Sequence, residues 1–286
     1  MPDRHINFQH IDRFRRYLIR EEKSAMTVEK YIRDAFRFLK WAGGRQITKD
    51  LTIGYKAQLQ KDGYALRSVN SMLASLNGFL SFLGLADCKV KALRCQRQTY
   101  CTQDKELTKA EYLRLLDTSR SRPRLNLVLQ TICSTGIRVS ELQHFTLEAV
   151  RSGQITVQCK SKTRTILIPG KLKKLLTVYA KKRGIAGGCI FVTRSGAPLD
   201  RSNIWAQMKQ LCAAARVDPT KVFPHNLRKL FARTFYGIEK DIAKLADILG
   251  HSSINTTRIY IMTTGTEHRR QIEQLGLVVS QKHHII

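Results

Sequence analysis

Leu249-Gly250-His251-Ser252-Ser253-Ile254-Asn255-Thr256-Thr257-Arg258-Ile259-Tyr260 places a glycine stop after an apolar helical run, a histidine directly behind it and a tyrosine nine residues on. Two other segments have the same character, with a basic residue or histidine where the chain turns into a helix. They are Thr135-Gly136-Ile137-Arg138-Val139-Ser140-Glu141-Leu142 and Pro224-His225-Asn226-Leu227-Arg228-Lys229-Leu230-Phe231-Ala232. His225 and Arg228 stand three apart, so on a helix they share a face, with Cβ atoms about 5–6 Å apart, and can address one phosphate together. The pooled inventory is two arginines, two histidines and a tyrosine, with Lys160 or Lys162 near in sequence.

Around these segments the chain is ordinary in size and unusual in charge. Its 286 residues, 43% hydrophobic and 25% charged, suffice for one or two cores and exclude a disordered or collagen-like chain. No run approaches the roughly 20 apolar residues of a membrane span, and the opening MPDRHINF lacks the apolar region of a secretory signal, so a cytoplasmic location is expected. Fifty Lys plus Arg against 22 Asp plus Glu give a net charge of +28. Residues 1–100 hold 19 basic and 9 acidic side chains and residues 101–286 hold 31 and 13, so the excess runs through both halves and suggests a clamp on nucleic acid. A merely basic soluble protein is the plainer reading of charge alone; a membrane surface fits less well, because no basic amphipathic helix stands apart.

The seven cysteines are odd in number and form no CxxC pair, and the eight histidines form no HExxH, so neither a disulfide framework nor a metal site is expected. No cofactor is expected either.

Helical periodicity runs from Ile11 to Leu83 and predicts four helices: Ile11, Phe14 and Leu18 on the first, Val28 to Leu39 on a second entered through Thr27, Leu51 to Leu59 on a third capped by Thr48, and Val69 to Leu83 on a fourth capped by Ser68. Residues 1–85 thus read as a helical DNA-binding domain. Residues 86–106 lose the period and carry Lys89, Lys91, Arg94, Arg97 and Lys105, as a linker lying along a phosphate backbone would; a solvated connector is the alternative. In residues 107–286, Thr108 caps a helix, and Gln154–Lys160 and Thr163–Ile168 alternate as a β-hairpin. Helical patterns return over 171–182, 202–216, 225–236, 241–249 and 254–262, before a C-terminal tail. The fold class is mostly α with one small antiparallel hairpin.

This inventory suits attack by a tyrosine on a phosphodiester. Charge grows on the non-bridging oxygens in the transition state, and planar guanidinium groups can bind two oxygens at once. A tyrosine ionises near pH 10, so it needs a neighbouring base, and the departing 5′-oxygen needs an acid, which a lysine on a hairpin can supply. Taken singly, each residue has a plain structural reading: Arg138 with Glu141 as an i,i+3 ion pair, His225 as a helix-start residue, His251 as a helix cap, Tyr260 as a core aromatic between Ile259 and Ile261. Their joint occurrence in a chain of this charge outweighs those readings.

In order and spacing the segments resemble the tyrosine recombinase (phage integrase) family, whose signature is an arginine in a TGxRxSEL context, a hairpin lysine, an HxLRHxFA-like box, an LGH box and a tyrosine about nine residues later. The likeness spans nearly the whole chain and is to short, Xer-like or resolvase-type members; Lys229-Leu230 departs from the family's frequent His-Thr. The resemblance implies that Arg138 and Arg228 hold the scissile phosphate, Glu141 orients the first arginine region, Tyr260 is the nucleophile, His225 assists proton transfer at the tyrosine, and His251 hydrogen-bonds a phosphate oxygen. Lys160, or Lys162 if the hairpin register differs, would protonate the leaving oxygen. It further implies strand exchange between two short duplex sites through a 3′-phosphotyrosine, without metal or ATP, by a dimer on one site and a homotetramer on two. A type IB topoisomerase-like relaxase and a catalytically silent DNA-binding protein are the alternatives.

Overall fold

Helices α1 (Gln9–Arg20), α2 (Ala25–Ala42), α3 (Lys49–Lys61) and α4 (Leu66–Phe82) form where apolar residues recur every three to four positions. This computed structural model describes residues 4–95, 106–159, 162–262, 269–270, 272–275 and 277. The chain divides into two units, Met1–Arg97 and Gln98–Ile286. In the first, Phe14 lies 5.0 Å from Phe79 and 5.3 Å from Phe82, ring to ring, in one buried core with Leu73, Leu76 and Leu80. Each such side chain contributes about 1.5–3 kcal/mol by leaving water. Buried Asp34 is matched by Lys30 at 2.7 Å and the Ser75 hydroxyl at 2.9 Å.

Two helix starts differ from the sequence reading. Ser24, not Thr27, caps α2, its hydroxyl accepting from the Thr27 amide at 3.4 Å. Helix α4 begins at Leu66 behind Ala65, which makes no side-chain cap; Ser68 lies inside the first turn. Thr48 caps α3 as expected. The described part of the basic stretch after Ala86 is fastened to this unit. Asn77 exchanges two hydrogen bonds with the backbone of Val90 (2.8 and 2.9 Å) and Asn70 two with that of Leu93 (2.9 and 2.7 Å), while Leu85, Cys88 and Val90 enter the core.

The second unit runs α5 (Lys109–Thr118), α6 (Pro123–Thr135), α7 (Leu147–Ser152), β1 (Gln154–Cys159), β2 (Lys162–Leu167), α8 (Gly170–Lys182), α9 (Arg201–Ala215), α10 (Pro224–Ile238), α11 (Ile242–Leu249) and α12 (Ile254–Arg258). Thr108 and Glu111 close a reciprocal cap on α5. The strands are antiparallel, with Cys159 opposite Lys162 and Val157 opposite Arg164. Ile155, Val157, Ile166 and Ile168 turn inward to a core built on α6, where Val128, Leu129 and Ile132 are fully enclosed. Helix α12 is shorter than the expected 254–262. Among the described residues no helix is long and apolar enough to cross a membrane.

Candidate functional site

The site forms where α6 and α11 end. Each stops in a left-handed glycine, Gly136 (φ 64°) and Gly250 (φ 63°), a conformation costly for side chains with a Cβ. Space demands glycine as well: a Cβ at Gly136 would lie 2.3 Å from a Phe231 ring carbon, and one at Gly250 2.6 Å from Cδ of Arg164.

A helix leaves its last carbonyls without intrahelical partners and carries the negative end of its dipole there. In α11 the Gly250 and His251 amides serve the Asp247 and Ala246 carbonyls at 2.9 Å. The next three carbonyls each take one arginine. Arg164 donates to Ile248 at 2.5 Å, Arg228 to Leu249 at 2.5 Å and Arg138 to Gly250 at 3.1 Å. Arg228 also donates to the carbonyl of Gly136, at the end of α6. Three cations from three elements thus gather on one helix terminus.

Glu141 balances them. Its Oε2 accepts from the Arg138 amide at 2.7 Å and from Arg164 at 2.5 Å, and its Oε1 from the Arg138 guanidinium at 3.0 Å. Burial pushes this carboxyl up, but these donors outweigh it and hold it below the usual range. Arg228 is only 2% exposed, and burial, then Arg138, draws it down to about 10, still a cation at neutral pH.

The histidines and the tyrosine complete the cluster. His251 Nε2 lies 3.1 Å from Arg228 Nη2, and its Nδ1 2.9 Å from the Thr257 hydroxyl. The Tyr260 ring stands edge-on to both imidazoles, with centroids 5.0 Å from His225 and 4.9 Å from His251, and its hydroxyl lies 3.5 Å from His225 Nδ1. Burial first, and then surrounding cations, push both histidines down, His251 to about 4. His251 is therefore neutral in the folded chain between pH 4 and 6.5 but protonated there once unfolded, so folding stability is complete above pH 6.5 and falls as pH drops toward 4. Melting temperatures recorded from pH 7.5 to 5 should fall accordingly, and His251→Gln should flatten the slope.

A cavity of about 330 Å³ opens on this cluster, lined by Arg138, His225 and Arg228 and also by Arg201, Trp205 and Phe223. The structure thus brings together Arg138, Glu141, His225, Arg228, His251 and Tyr260. Lys160 lies outside the described residues, and Lys162 opens β2. Lys91 and Arg94 are exposed and Lys89 half-buried on the first unit; Arg97 and Lys105 lie outside the described residues. Sequence reading missed Arg164, Thr257, Arg201 and Trp205. Arg164 carried a signal, since strand alternation puts it on the inward face with Ile166 and Ile168. Among the described residues no group of three or more His, Cys, Asp or Glu could hold a metal.

The profile of the phage integrase family matches residues 105–266, and that of the phage integrase N-terminal SAM-like domain residues 11–86. The tyrosine recombinase XerA of Thermococcus kodakarensis is 30% identical over 281 residues, which cover 95% of this chain and 96% of that protein. A crystal structure of a lambda integrase dimer bound to a COC′ core site is similar with a TM-score of 0.72 and 18% identity, covering 91% of this chain and 96% of that one. A lambda integrase tetramer bound to a Holliday junction gives a TM-score of 0.70 and 20% identity, covering 88% and 76%.

Proposed function

We propose that this chain, which belongs to the phage integrase family of tyrosine recombinases, is a site-specific recombinase that cuts duplex DNA with Tyr260 and rejoins it to a second site. The observation that carries the reading is the Tyr260 hydroxyl beside His225, in a ring pair with His251, which itself meets the buried Arg228. Nucleophile, proton acceptor and phosphate clamp share one cluster.

In the forward step the Tyr260 oxygen bonds to phosphorus, its proton passes to neutral His225, and the bond from phosphorus to the 5′-oxygen breaks. Arg138 and Arg228 hold the non-bridging oxygens as charge grows on them, with Glu141 fixing Arg138 from its far side. Lys160 protonates the departing 5′-oxygen; Lys162 is the alternative. The 3′-phosphotyrosine conserves the bond energy, so a 5′-hydroxyl from a partner duplex can reverse the step. The charge is supplied by side chains, so neither metal nor nucleotide is needed. Lys89, Lys91, Arg94, Arg97 and Lys105 contact the DNA backbone, where such charges add salt-dependent affinity without sequence choice. The lambda integrase dimer and tetramer support a dimer on one inverted-repeat site and a tetramer on two.

The test uses a nicked duplex taken from DNA flanking the gene, which traps the adduct because the short cleaved strand diffuses away. A covalent adduct should form in excess EDTA, and two copies of the site should exchange strands. Relaxation of a supercoiled circle without exchange would point to a type IB topoisomerase, and binding without adduct to a silent DNA-binding protein. Replacing the leaving oxygen by sulfur should rescue Lys160→Ala but not Arg138→Ala, because a thiolate departs without a proton. Rescue of Lys162→Ala instead would move the acid to Lys162.

A further inference from the structure

The cluster around His251 contains a constraint on where its proton sits. A guanidinium only donates, so the contact of Arg228 Nη2 with His251 Nε2 at 3.1 Å requires a lone pair on Nε2. A neutral imidazole then carries its hydrogen on Nδ1, and Nδ1 faces the Thr257 hydroxyl at 2.9 Å, which accepts it. Thr257 is fully buried on α12. Three residues on, Tyr260 follows, its amide donating to the Thr257 carbonyl at 2.9 Å. Arg228 therefore selects the tautomer of His251, and Thr257 holds the ring from its other nitrogen and ties the tyrosine's helix to it.

A phosphate oxygen is only an acceptor, and so is Nε2 in this tautomer. We propose that Thr257 is a positioning residue that holds the His251 ring in the tautomer Arg228 selects, with its hydrogen on Nδ1, so that binding of a phosphodiester draws one proton from solvent onto Nε2. The groups facing the ring account for both states. Arg228 and His225 on α10, Arg138 behind α6 and Arg164 on β2 keep the free ring neutral, with burial, and the Tyr260 ring covers its edge. A phosphate in the cavity offsets these cations, and Nε2–H then donates to it while Thr257 still accepts from Nδ1. This inference rests on the recombinase reading only in its second half.

The first half is tested on the DNA-free full-length chain by long-range proton–nitrogen NMR of labelled histidines at pH 7. Wild type should show His251 protonated on Nδ1 alone, and Thr257→Ser and Thr257→Val should match it, because Arg228 still donates to Nε2. A wild-type ring protonated on Nε2 overturns the proposal, whether or not the variants fold. For the second half, binding of the nicked duplex to Tyr260→Phe should take up about one proton per protomer at pH 7, read with an indicator dye in weak buffer, and adding His251→Gln should abolish the uptake. Adduct formation with Tyr260 intact should slow about tenfold or more in Thr257→Val and stay within about threefold in Thr257→Ser. Binding without proton uptake, or an unimpaired valine variant, overturns the proposal. A wild-type chain that forms no adduct sinks the recombinase reading instead and leaves the DNA-free tautomer result standing.

Discussion

Tyr260→Phe is expected to abolish the covalent protein–DNA adduct on a nicked site while duplex binding stays within about twofold of the parent. The expectation follows from how little else the hydroxyl does. Among the described residues its one hydrogen-bond contact is the 3.5 Å approach to His225, at the outer limit of such a bond, whereas the ring packs edge-on between two imidazoles. Phenylalanine keeps the ring and its packing. A labelled adduct that survives the substitution would place the nucleophile elsewhere, and Tyr236, part of the same small apolar cluster on α10, would be the next residue to replace.

Arg228→Ala is expected to remove both activity and stability, whereas Arg138→Ala removes mainly activity. If both arginines bind the scissile phosphate as proposed, either loss should slow adduct formation by about 10²- to 10³-fold or more. The stability effects differ because the two side chains are buried differently. Arg228 is enclosed and serves the carbonyls of Gly136 and Leu249, so its removal leaves two helix-end acceptors facing a void, at a cost of about 2–4 kcal/mol. Arg138 is partly open to solvent, and its partner Glu141 keeps Arg164. Urea unfolding of the two variants beside single-turnover cleavage checks the contrast. Equal stability losses, or cleavage within about tenfold of the parent in either variant, would contradict the arrangement.

The sequence made the site legible wherever chemistry coincided with a change of backbone. Gly136 and Gly250 mark helix stops, and Arg138, His225 and His251 sit beside stops or starts, so a local signal drew the eye to them. Thr108 and Thr48 were readable as caps for the same reason. Ser24 and Thr27 are not separated by spacing alone, because both hydroxyls stand at one helix entrance and bond to each other at 2.8 Å. Arg164 and Thr257 escaped because their partners are distant or cryptic: a carboxylate 23 residues away for one, a ring nitrogen for the other. The attachment of Val90 and Leu93 to Asn77 and Asn70 escaped likewise, because an amide side chain that pairs with a remote backbone leaves no periodic trace.

The three arginines on the end of α11 have a consequence for the protein before it ever meets DNA. They come from the loop behind α6, from β2 and from α10, and none of these is adjacent in sequence to Ile248, Leu249 and Gly250. Gathered cations repel one another unless the helix end and Glu141 are there to accept from them, so the cluster forms only when all four pieces have come together. On the proposed function, a chain in which these pieces have not met would still be drawn to DNA by its charge but would lack the arginine cluster that holds a phosphate.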